Sequence, residues 1–270
     1  MISVLIVIAC ILPVILFAIA PAIASGRKKA PFYGRNFAHR GLYEKDQSIP
    51  ENSLKAFERA VESGYGMELD VQLSADGQVV VFHDDDLKRI CGPDKRVDEL
   101  TFEQLRKLRL CDTDEQIPLF TEVLSLVNGR EPLIVELKNG PRNKELCKKT
   151  LDILKDYSGD YCVESFNPMI TAWFRFHAPK ILRGFLTQQP EVYVKDGIPG
   201  FLGGLLGRCI FNFAARPNFI AHKIGKKTLF VKIVEKMGAI RVAWTSHDTE
   251  TEKDYDIVIF EHYRPKVRFR

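Results

Sequence analysis

The chain has little net charge, few cysteines and no internal repeat. Its 270 residues carry a formal charge of only +4, and the basic residues are spread along the chain rather than gathered in a stripe with aromatic ones. That distribution argues against a nucleic-acid-binding protein. The six cysteines are widely spaced, without a CxxC pair, which argues against both a disulfide framework and a zinc site.

The overall composition is that of a globular protein. Apolar residues make up 46% of the chain and charged residues 27%, so a hydrophobic core is expected and disorder is not. The length suits one large domain or two small ones, and α/β barrels of this size form a single domain.

A segment without any charged residue opens the chain, from Ile2 to Ala24. As a helix it would be about 35 Å long, enough to cross a hydrocarbon core of about 30 Å. A cleaved signal peptide is the alternative, because Ala22-Ile23-Ala24 resembles a cleavage site. No Lys or Arg precedes the apolar run, however, and the run is longer than an ordinary signal-peptide core. We therefore predict an uncleaved transmembrane anchor over residues 1–25.

Positive charges follow this segment in a predicted basic linker over residues 26–35, namely Arg27, Lys28, Lys29 and Arg35. The positive-inside rule places such a cluster on the cytoplasmic side of a membrane. We therefore expect a single-pass membrane protein whose main domain, residues 36–270, faces the cytoplasm.

Beyond the linker, short apolar runs alternate with helical patterns, which is typical of parallel βαβ units. Strands are predicted near residues 36, 69, 81, 135, 163, 184, 221 and 243, and residues 257–260 form a further apolar run. Eight such strands predict a closed (β/α)8 TIM barrel, with a doubly wound sheet as the alternative. A turn at Ala75-Asp76-Gly77 also allows the strands near 69 and 81 to pair as a hairpin. The stretch after residue 246 leaves little room for a full last helix, so closure stays open at that point.

Charged side chains cluster where several predicted strands end. These ends carry His39 and Arg40, Glu68 and Asp70, His83, and Glu136 and Lys138. In a parallel barrel such ends meet at one mouth, and residues two apart face the same side of a strand. Each residue alone is commonly structural, but three carboxylates buried in one mouth need compensation. A divalent cation that prefers oxygen ligands supplies it, which favours Mg²⁺ or Ca²⁺.

Several motifs closely resemble those of the glycerophosphodiester phosphodiesterase family. They are "HRG", "PENS", "ELDVQLSADGQVVVFHDDDL" and "VELK", with weaker signals in "SFNP", "AWTS" and "IVIFEHYRP". The resemblance covers roughly residues 37–264. It implies a metal-dependent (β/α)8 barrel that hydrolyses glycerophosphodiesters to glycerol 3-phosphate and an alcohol.

The resemblance also implies roles for individual residues. The paired catalytic histidines fall on His39 and His83, and the metal carboxylates on Glu68, Asp70 and Glu136. The phosphate-contacting cations fall on Arg40 and Lys138, Glu51 falls at the edge of the site, orienting Arg40 or touching the metal, and Trp244 falls where its flat face can pack against the glycerol carbons.

Two other functions stay open at this level. A phospholipase D-type barrel acting on lysophospholipids is favoured by the long apolar loop from Asp196 to Pro217, which is expected on the active-site face. Its segment 198–213 is either a lid or capping helix, or a lip that contacts the membrane. A barrel that only binds lipid headgroups is the other alternative, and the complete set of histidines and carboxylates argues against it.

Overall fold

Eight parallel strands close into a barrel in the computed structural model, which describes the backbone of residues 2–270 and the side chains of residues 11–270. Each strand pairs in parallel with its neighbours in the order β1-β2-β4-β5-β6-β7-β8-β9, and β9 pairs back onto β1. The strands are β1 Arg35–Ala38, β2 Gly66–Leu73, β3 Val79–Val81, β4 Leu133–Leu137, β5 Tyr161–Ser165, β6 Leu182–Thr187, β7 Phe219–Lys223, β8 Ile240–Ser246 and β9 Ile257–Phe260. The predicted TIM barrel is confirmed, and the doubly wound alternative is excluded because the sheet is closed.

Helices connect the strands along the outside of the barrel. They are α1 Ile2–Ile19, α2 Gly26–Lys29, α3 Leu54–Glu62, α4 Lys88–Cys91, α5 Phe102–Leu105, α6 Phe120–Val127, α7 Asn143–Lys155, α8 Pro168–His177, α9 Pro190–Lys195, α10 Gly200–Leu206, α11 Asn212–Ala215 and α12 Leu229–Lys236, with 3₁₀ turns at Val97–Glu99 and Thr249–Lys253. Helix α3 begins after Ser53, whose hydroxyl accepts the backbone N–H of Ala56 at 3.1 Å and so caps the helix.

One of the eight predicted barrel strands is wrong. The strand near residue 81 is β3, which pairs antiparallel with the outer end of β2 and lies outside the closed barrel. The tight turn at Ser74–Gln78 forces this hairpin, with Gly77 at φ +77° and the Ser74 hydroxyl accepting the N–H of Gln78. The eighth barrel strand is β9, the apolar run over residues 257–260 that was not counted. It closes the barrel after only a 3₁₀ turn.

The lower half of the barrel interior, toward the amino ends of the strands, is filled with apolar side chains. Phe37 of β1 stacks on Phe32, which lies in the predicted linker, with ring centroids 6.0 Å apart. Gly184 of β6 gives space to the ring of Phe219 on β7, since a Cβ at this position would overlap that ring. The same interior cluster includes Ile134, Val242 and Ile257, all buried. This packing supports the opposite end of the barrel, where the site lies.

The end of the N-terminal apolar segment packs directly against the barrel. Ile19 is fully buried, and its carbonyl accepts a hydrogen bond from the Asn212 side chain at 2.8 Å. Arg216 donates to the carbonyls of Phe17 and Ala20, at 2.6 and 2.8 Å. The first part of the predicted anchor, Met1 and the side chains of residues 2–10, lies outside the described residues. Within the described part of the chain, no helix has both the length and the hydropathy of a membrane span.

The apolar loop over residues 198–213 is largely a packing element. Leu206 and Cys209 are buried in a cluster with Phe185 and Ile220 of the sheet, and other apolar residues of the loop are half-buried there. Phe201 and Phe213 remain mostly exposed, at 82% and 52%, and Leu202 is partly exposed, at 37%. The exposed apolar surface is therefore smaller than the sequence suggests.

Candidate active site

Three carboxylates meet at the carboxyl ends of β2 and β4. Asp70 and Glu136 are directly opposed across these neighbouring strands, and Glu68 lies two residues before Asp70, on the same face. One oxygen from each of the three lies within 4.8 Å of the others, and all three residues are buried. The predicted trio is thus brought together by strand register rather than by proximity in sequence.

The charges of the trio are only partly compensated by protein groups. Lys138 Nζ lies 2.9 Å from Glu136 Oε1 and 3.4 Å from Asp70 Oδ1, and the second contact lacks hydrogen-bond geometry. Asp70 Oδ2 accepts the Asn52 side-chain amide at 2.8 Å. Burial alone would raise the pKa of Asp70, but Lys138, His83 and Arg40 together hold it well below its ordinary value.

Glu68 has the opposite electrostatic environment. Burial, followed by the charges of Asp70 and Glu136, raises the pKa of Glu68 well above its ordinary value. Among the described residues, one oxygen of the buried Asp70, Oδ1, lacks a hydrogen-bond partner. Carboxylate oxygens are the ligands that hard divalent cations prefer, and a cation would offset the negative charge of the three buried groups. The residues present therefore fit a divalent cation such as Mg²⁺ or Ca²⁺.

His39 is held by a hydrogen bond to the last barrel strand. Its Nδ1 lies 2.9 Å from Glu261 Oε2, which also accepts the Tyr43 hydroxyl at 2.7 Å. The other ring nitrogen, Nε2, lies 3.8 Å from Glu68 Oε2 and so faces the carboxylates. Burial and the neighbouring Arg40 lower the pKa of His39, while the contact with His39 helps to lower the pKa of Glu261 to about 2 against the opposing effect of burial.

His83 reaches the same mouth by a different route from the predicted one. It follows β3, which runs back toward the barrel, so that the Phe82 N–H donates to the Asp70 carbonyl at 3.0 Å. The Gln72 side chain holds this turn by donating to the Phe82 and Asp84 carbonyls, both at 2.8 Å. His83 Nδ1 lies 2.6 Å from Asp84 Oδ1. The long β2, with its hairpin, thus supplies both carboxylates and one histidine.

Glu51 lies between two arginines rather than in the acidic trio. Its Oε1 accepts Arg40 at 2.6 Å and Arg89 at 2.7 Å, and its Oε2 accepts Arg89 at 2.9 Å. The Arg40 backbone adopts φ +53°, a left-handed conformation in which its N–H donates to Glu68 Oε2 at 3.1 Å. Of the two roles predicted for Glu51, orienting Arg40 or touching the metal, these contacts favour the first.

These groups surround a cavity of about 100 Å³ at the mouth of the barrel. Its lining includes His39, Arg40, Glu68, His83, Glu136, Glu164, Phe166, Leu186 and Trp244. Trp244 is fixed by a hydrogen bond from its Nε1–H to the Ala221 carbonyl at 3.2 Å, and Phe166 contacts it edge-on at 5.5 Å between ring centroids. A charged wall thus faces an aromatic one, an arrangement that suits a small substrate with both an anionic and a carbon-rich part.

Sequence reasoning missed several residues of this site. Asn52 and Asp84 follow Glu51 and His83 directly in the chain, and that adjacency was the available signal. Glu261 stands in the weaker motif IVIFEHYRP, in which no residue was assigned a role. Arg89 was not foreseeable, because it reaches Glu51 from a separate helix, α4. Glu164, near the end of β5, was assigned no role.

The fold and the site together define a TIM-barrel enzyme whose mouth suits a divalent cation and an anionic substrate. Residues 39–261 match the model of the glycerophosphoryl diester phosphodiesterase family, and the chain belongs to that family. The predicted family and class of enzyme, a phosphoric diester hydrolase, are confirmed. The match begins after residue 38, so it does not bear on the predicted anchor.

Two relatives are similar over part of the chain. A glycerophosphodiester phosphodiesterase from Bacillus altitudinis is 35% identical over 176 residues, which are 59% of this chain and 70% of that protein. A lysophospholipase D from Rattus norvegicus is 32% identical over 154 residues, which are 52% of this chain and 47% of that protein. The chain thus matches about half the length of the rat enzyme.

Solved structures match over a larger share of the chain. A glycerophosphodiester phosphodiesterase from Thermotoga maritima has a TM-score of 0.62 at 28% identity, over 83% of this chain and 93% of that one. A phosphodiesterase from Oleispira antarctica, solved with the product sn-glycerol-3-phosphate, has a TM-score of 0.68 over 85% of this chain and 93% of that one. At 21% identity, this second likeness shows the shared fold.

Proposed function

We propose that this barrel hydrolyses glycerophosphodiesters, releasing glycerol 3-phosphate and an alcohol. The observation that carries the proposal is that His39, His83, Glu68 and Glu136 line one small cavity, with Asp70 completing the acidic trio beside it. Family membership and the names of the relatives support the same reaction.

The acidic trio is proposed to hold Mg²⁺ or Ca²⁺. Its ligands are carboxylate oxygens, without a cysteine or an imidazole among the three, which suits a hard cation. When bound, such a cation polarises the phosphoryl oxygen and favours deprotonation of the attacking hydroxyl.

The two histidines are proposed to carry the proton transfers. Hydrolysis of a phosphodiester needs a base for the attacking hydroxyl and an acid for the departing alkoxide, and each role contributes about 10² to 10⁴ in rate. Glu261 and Asp84 each bind the Nδ1 of one histidine, at 2.9 and 2.6 Å. This fixes the tautomer and leaves Nε2 of both rings available for proton exchange.

Arg40 and Lys138 are proposed to bind the phosphate. Arg40 lines the cavity and is oriented by Glu51, while Lys138 lies against Asp70 and Glu136. Negative charge develops on the phosphoryl oxygens during the reaction, and cations already fixed beside them stabilise it. Trp244, on the aromatic wall, is proposed to pack against the glycerol carbons.

The purified full-length chain, treated with chelator and then supplied with Mg²⁺, Ca²⁺ or neither, tests this function. Release of glycerol 3-phosphate from glycerophosphocholine and glycerophosphoethanolamine should appear only with metal. Full activity in excess chelator would contradict the metal site, and no activity with any metal would contradict the reaction.

A lysophospholipase D reaction is the second candidate, favoured by the rat relative. It breaks the same type of bond in a substrate whose glycerol carries an acyl chain, so the catalytic groups would be unchanged. Adding a lysophosphatidylcholine to the substrate panel decides between the two, because the ratio of kcat/KM values measures the preference directly.

We further propose that the N-terminal segment anchors the protein in a membrane, with the barrel in the cytoplasm. The uncharged run from Ile2 to Ala24 and the cations that follow it support this arrangement. Phe201 and Phe213 support a membrane contact of the loop over residues 198–213, because both are exposed on an otherwise packed element. A contact of this kind would help lipid-derived substrates to reach the barrel.

Two measurements test the membrane proposal. Protease added to sealed cells should leave the barrel intact, and lysis should make the barrel sensitive to the protease. Digestion of the barrel in sealed cells would show that it lies outside the cell instead. Phe201→Ser with Phe213→Ser should lower hydrolysis of lysolipids more than that of glycerophosphocholine. Equal effects on both substrates would make the loop an ordinary packing element. Leu206 is unsuitable for this test because it is buried.

A further inference from the structure

Glu164 is a buried acid in the cavity that the catalytic scheme does not use. It faces Glu136 across the β4–β5 pair and is only 2% exposed. Its Oε2 has no hydrogen-bond partner among the described residues, although Glu164 lines the cavity together with His39 and Trp244. A buried carboxyl oxygen without a partner is unfavourable, so a group that enters the cavity is expected to supply the missing hydrogen bond.

A metal ion is not the partner that the geometry favours. The carboxylates whose oxygens approach within 4.8 Å of one another are Glu68, Asp70 and Glu136, and Glu164 is not among them. Two cations of the barrel mouth are also engaged by other carboxylates, since Lys138 contacts Glu136 and Asp70 while Arg40 contacts Glu51. Glu164 stands beside the trio, next to the side chains of Phe166 and Leu186 on the cavity wall.

Resting on the proposed function, we propose that Glu164 is a specificity-determining residue that binds the terminal hydroxyl of the glycerol group. In a glycerophosphodiester, the phosphate lies at one end of the three-carbon chain and the primary hydroxyl at the other. With the phosphate at the trio and the carbons along Trp244, the far hydroxyl is the group available for a carboxyl beside the trio. A hydroxyl both donates and accepts, so it can satisfy Oε2.

This assignment has a consequence for substrate choice. In a 1-acyl lysophospholipid the terminal hydroxyl is esterified, so it has no proton to donate, and the acyl chain would have to pass Glu164. The cavity of about 100 Å³ is also much smaller than the roughly 300 to 1,000 Å³ typical of pockets for larger ligands. Glu164 therefore favours deacylated glycerophosphodiesters over lysophospholipids.

The test compares glycerophosphocholine with 2-hydroxypropyl phosphocholine, which lacks only the terminal hydroxyl. Glu164→Ala should lower kcat/KM for glycerophosphocholine by about 10- to 100-fold, the loss expected when one partner of a buried hydrogen bond is removed. The analogue should change by less than about threefold, because it lacks the bonded hydroxyl. Glu164→Gln, which keeps an accepting oxygen, should retain most of the preference.

Two controls separate this role from others. Leu186→Ala also enlarges the cavity but removes no polar atom, so it should affect both substrates equally. The rise in melting temperature on adding Mg²⁺ should be the same for Glu164→Ala as for the wild type, and its loss would make Glu164 a metal ligand and overturn the inference.

The remaining outcomes are also decisive. If Glu164→Ala lowered kcat/KM equally for both substrates, the specificity role would be overturned while the proposed function stayed intact. A wild-type chain that is inactive on glycerophosphocholine with every metal would instead contradict the proposed function itself.

Discussion

The two ends of the barrel interior are built from the same strands with opposite chemistry. Along the strands the inward-facing positions recur every second residue, and on the charged side of the barrel they change from apolar at the lower end to charged at the mouth. The change occurs from Phe37 to His39 just past the end of β1, from Ile134 to Glu136 in β4, and from Ile259 to Glu261 just past the end of β9. One step of two residues therefore separates a stabilising position from a functional one.

The difference shows that stability and function are divided along the barrel axis. At the lower end, burial of large apolar side chains stabilises the fold, and the side chains of this cluster bring no charge into the interior. At the mouth, Glu68, Asp70 and Glu136 repel one another in a buried setting, which is reflected in the raised pKa of Glu68. Substitutions at the mouth should therefore lower activity and spare the fold, and substitutions at the lower end should do the reverse.

Glu68→Gln should have the largest effect on turnover. Loss of one proposed metal ligand removes several kcal/mol of transition-state stabilisation, or about 10⁴-fold in rate. Without metal, however, the variant should melt at a higher temperature than the wild type at neutral pH, because it removes a buried carboxyl whose ionisation is unfavourable there. Since the folded pKa of Glu68 is raised, the wild type should lose stability as pH rises above the ordinary carboxyl range, and the variant should lose less.

Melting curves with and without Mg²⁺, recorded from pH 4 upward, check this prediction together with the rate. A variant that melts lower than the wild type in the absence of metal would show that the mouth stabilises the fold, and the contrast between the two ends would fail.

His39→Ala and His83→Ala should each lower kcat by about 10² to 10⁴ with little change in melting temperature, because each removes one proton-transfer group. His177→Ala is the matched control: this histidine is exposed on α8, where it stacks on Trp173, away from the cavity. Rates of glycerol 3-phosphate release measure the effect. Near-normal kcat in either cavity variant would make that histidine structural.

Glu261→Gln should have an intermediate effect. The amide can still accept the Nδ1–H of His39, but it lacks the negative charge that stabilises a protonated ring, so we expect kcat to fall about 10-fold and KM to change little. Steady-state kinetics on glycerophosphocholine measure both constants. A fall in kcat/KM that arises only from KM would place Glu261 in substrate binding instead.

Phe219→Ala should have the smallest effect on turnover and a large one on stability. Removing a buried phenyl ring costs about 3 to 5 kcal/mol, and Gly184 beside it offers no side chain to fill the space. Denaturant unfolding should show this loss, while kcat of the folded fraction stays close to the wild-type value at low temperature. A large fall in kcat without destabilisation would mean that the two ends are coupled.

Much of the fold followed from local patterns in the chain. The strand predicted near residue 135 is β4, Leu133–Leu137, and the apolar run noted over residues 257–260 has the bounds of β9. The family motifs identified the carboxylates and histidines because these residues stand next to one another within short, recognisable segments. The packing of the loop over residues 198–213 was harder to predict, because the sequence alone does not tell an apolar residue that packs on the sheet from one that faces outward.

Local sequence was enough to specify strands, caps and the chemical type of each side chain, because alternation and capping depend on neighbours within a few residues. It was not enough to specify which strand pairs with which. The same apolar pattern suits β3 in a hairpin and β9 in the barrel, and only the closed sheet distinguishes them. Strand register and barrel closure bring together residues of distant segments, as in the contacts of Arg89 with Glu51, of His39 with Glu261 and of Glu164 with Glu136. No short-range pattern in the sequence encodes that geometry.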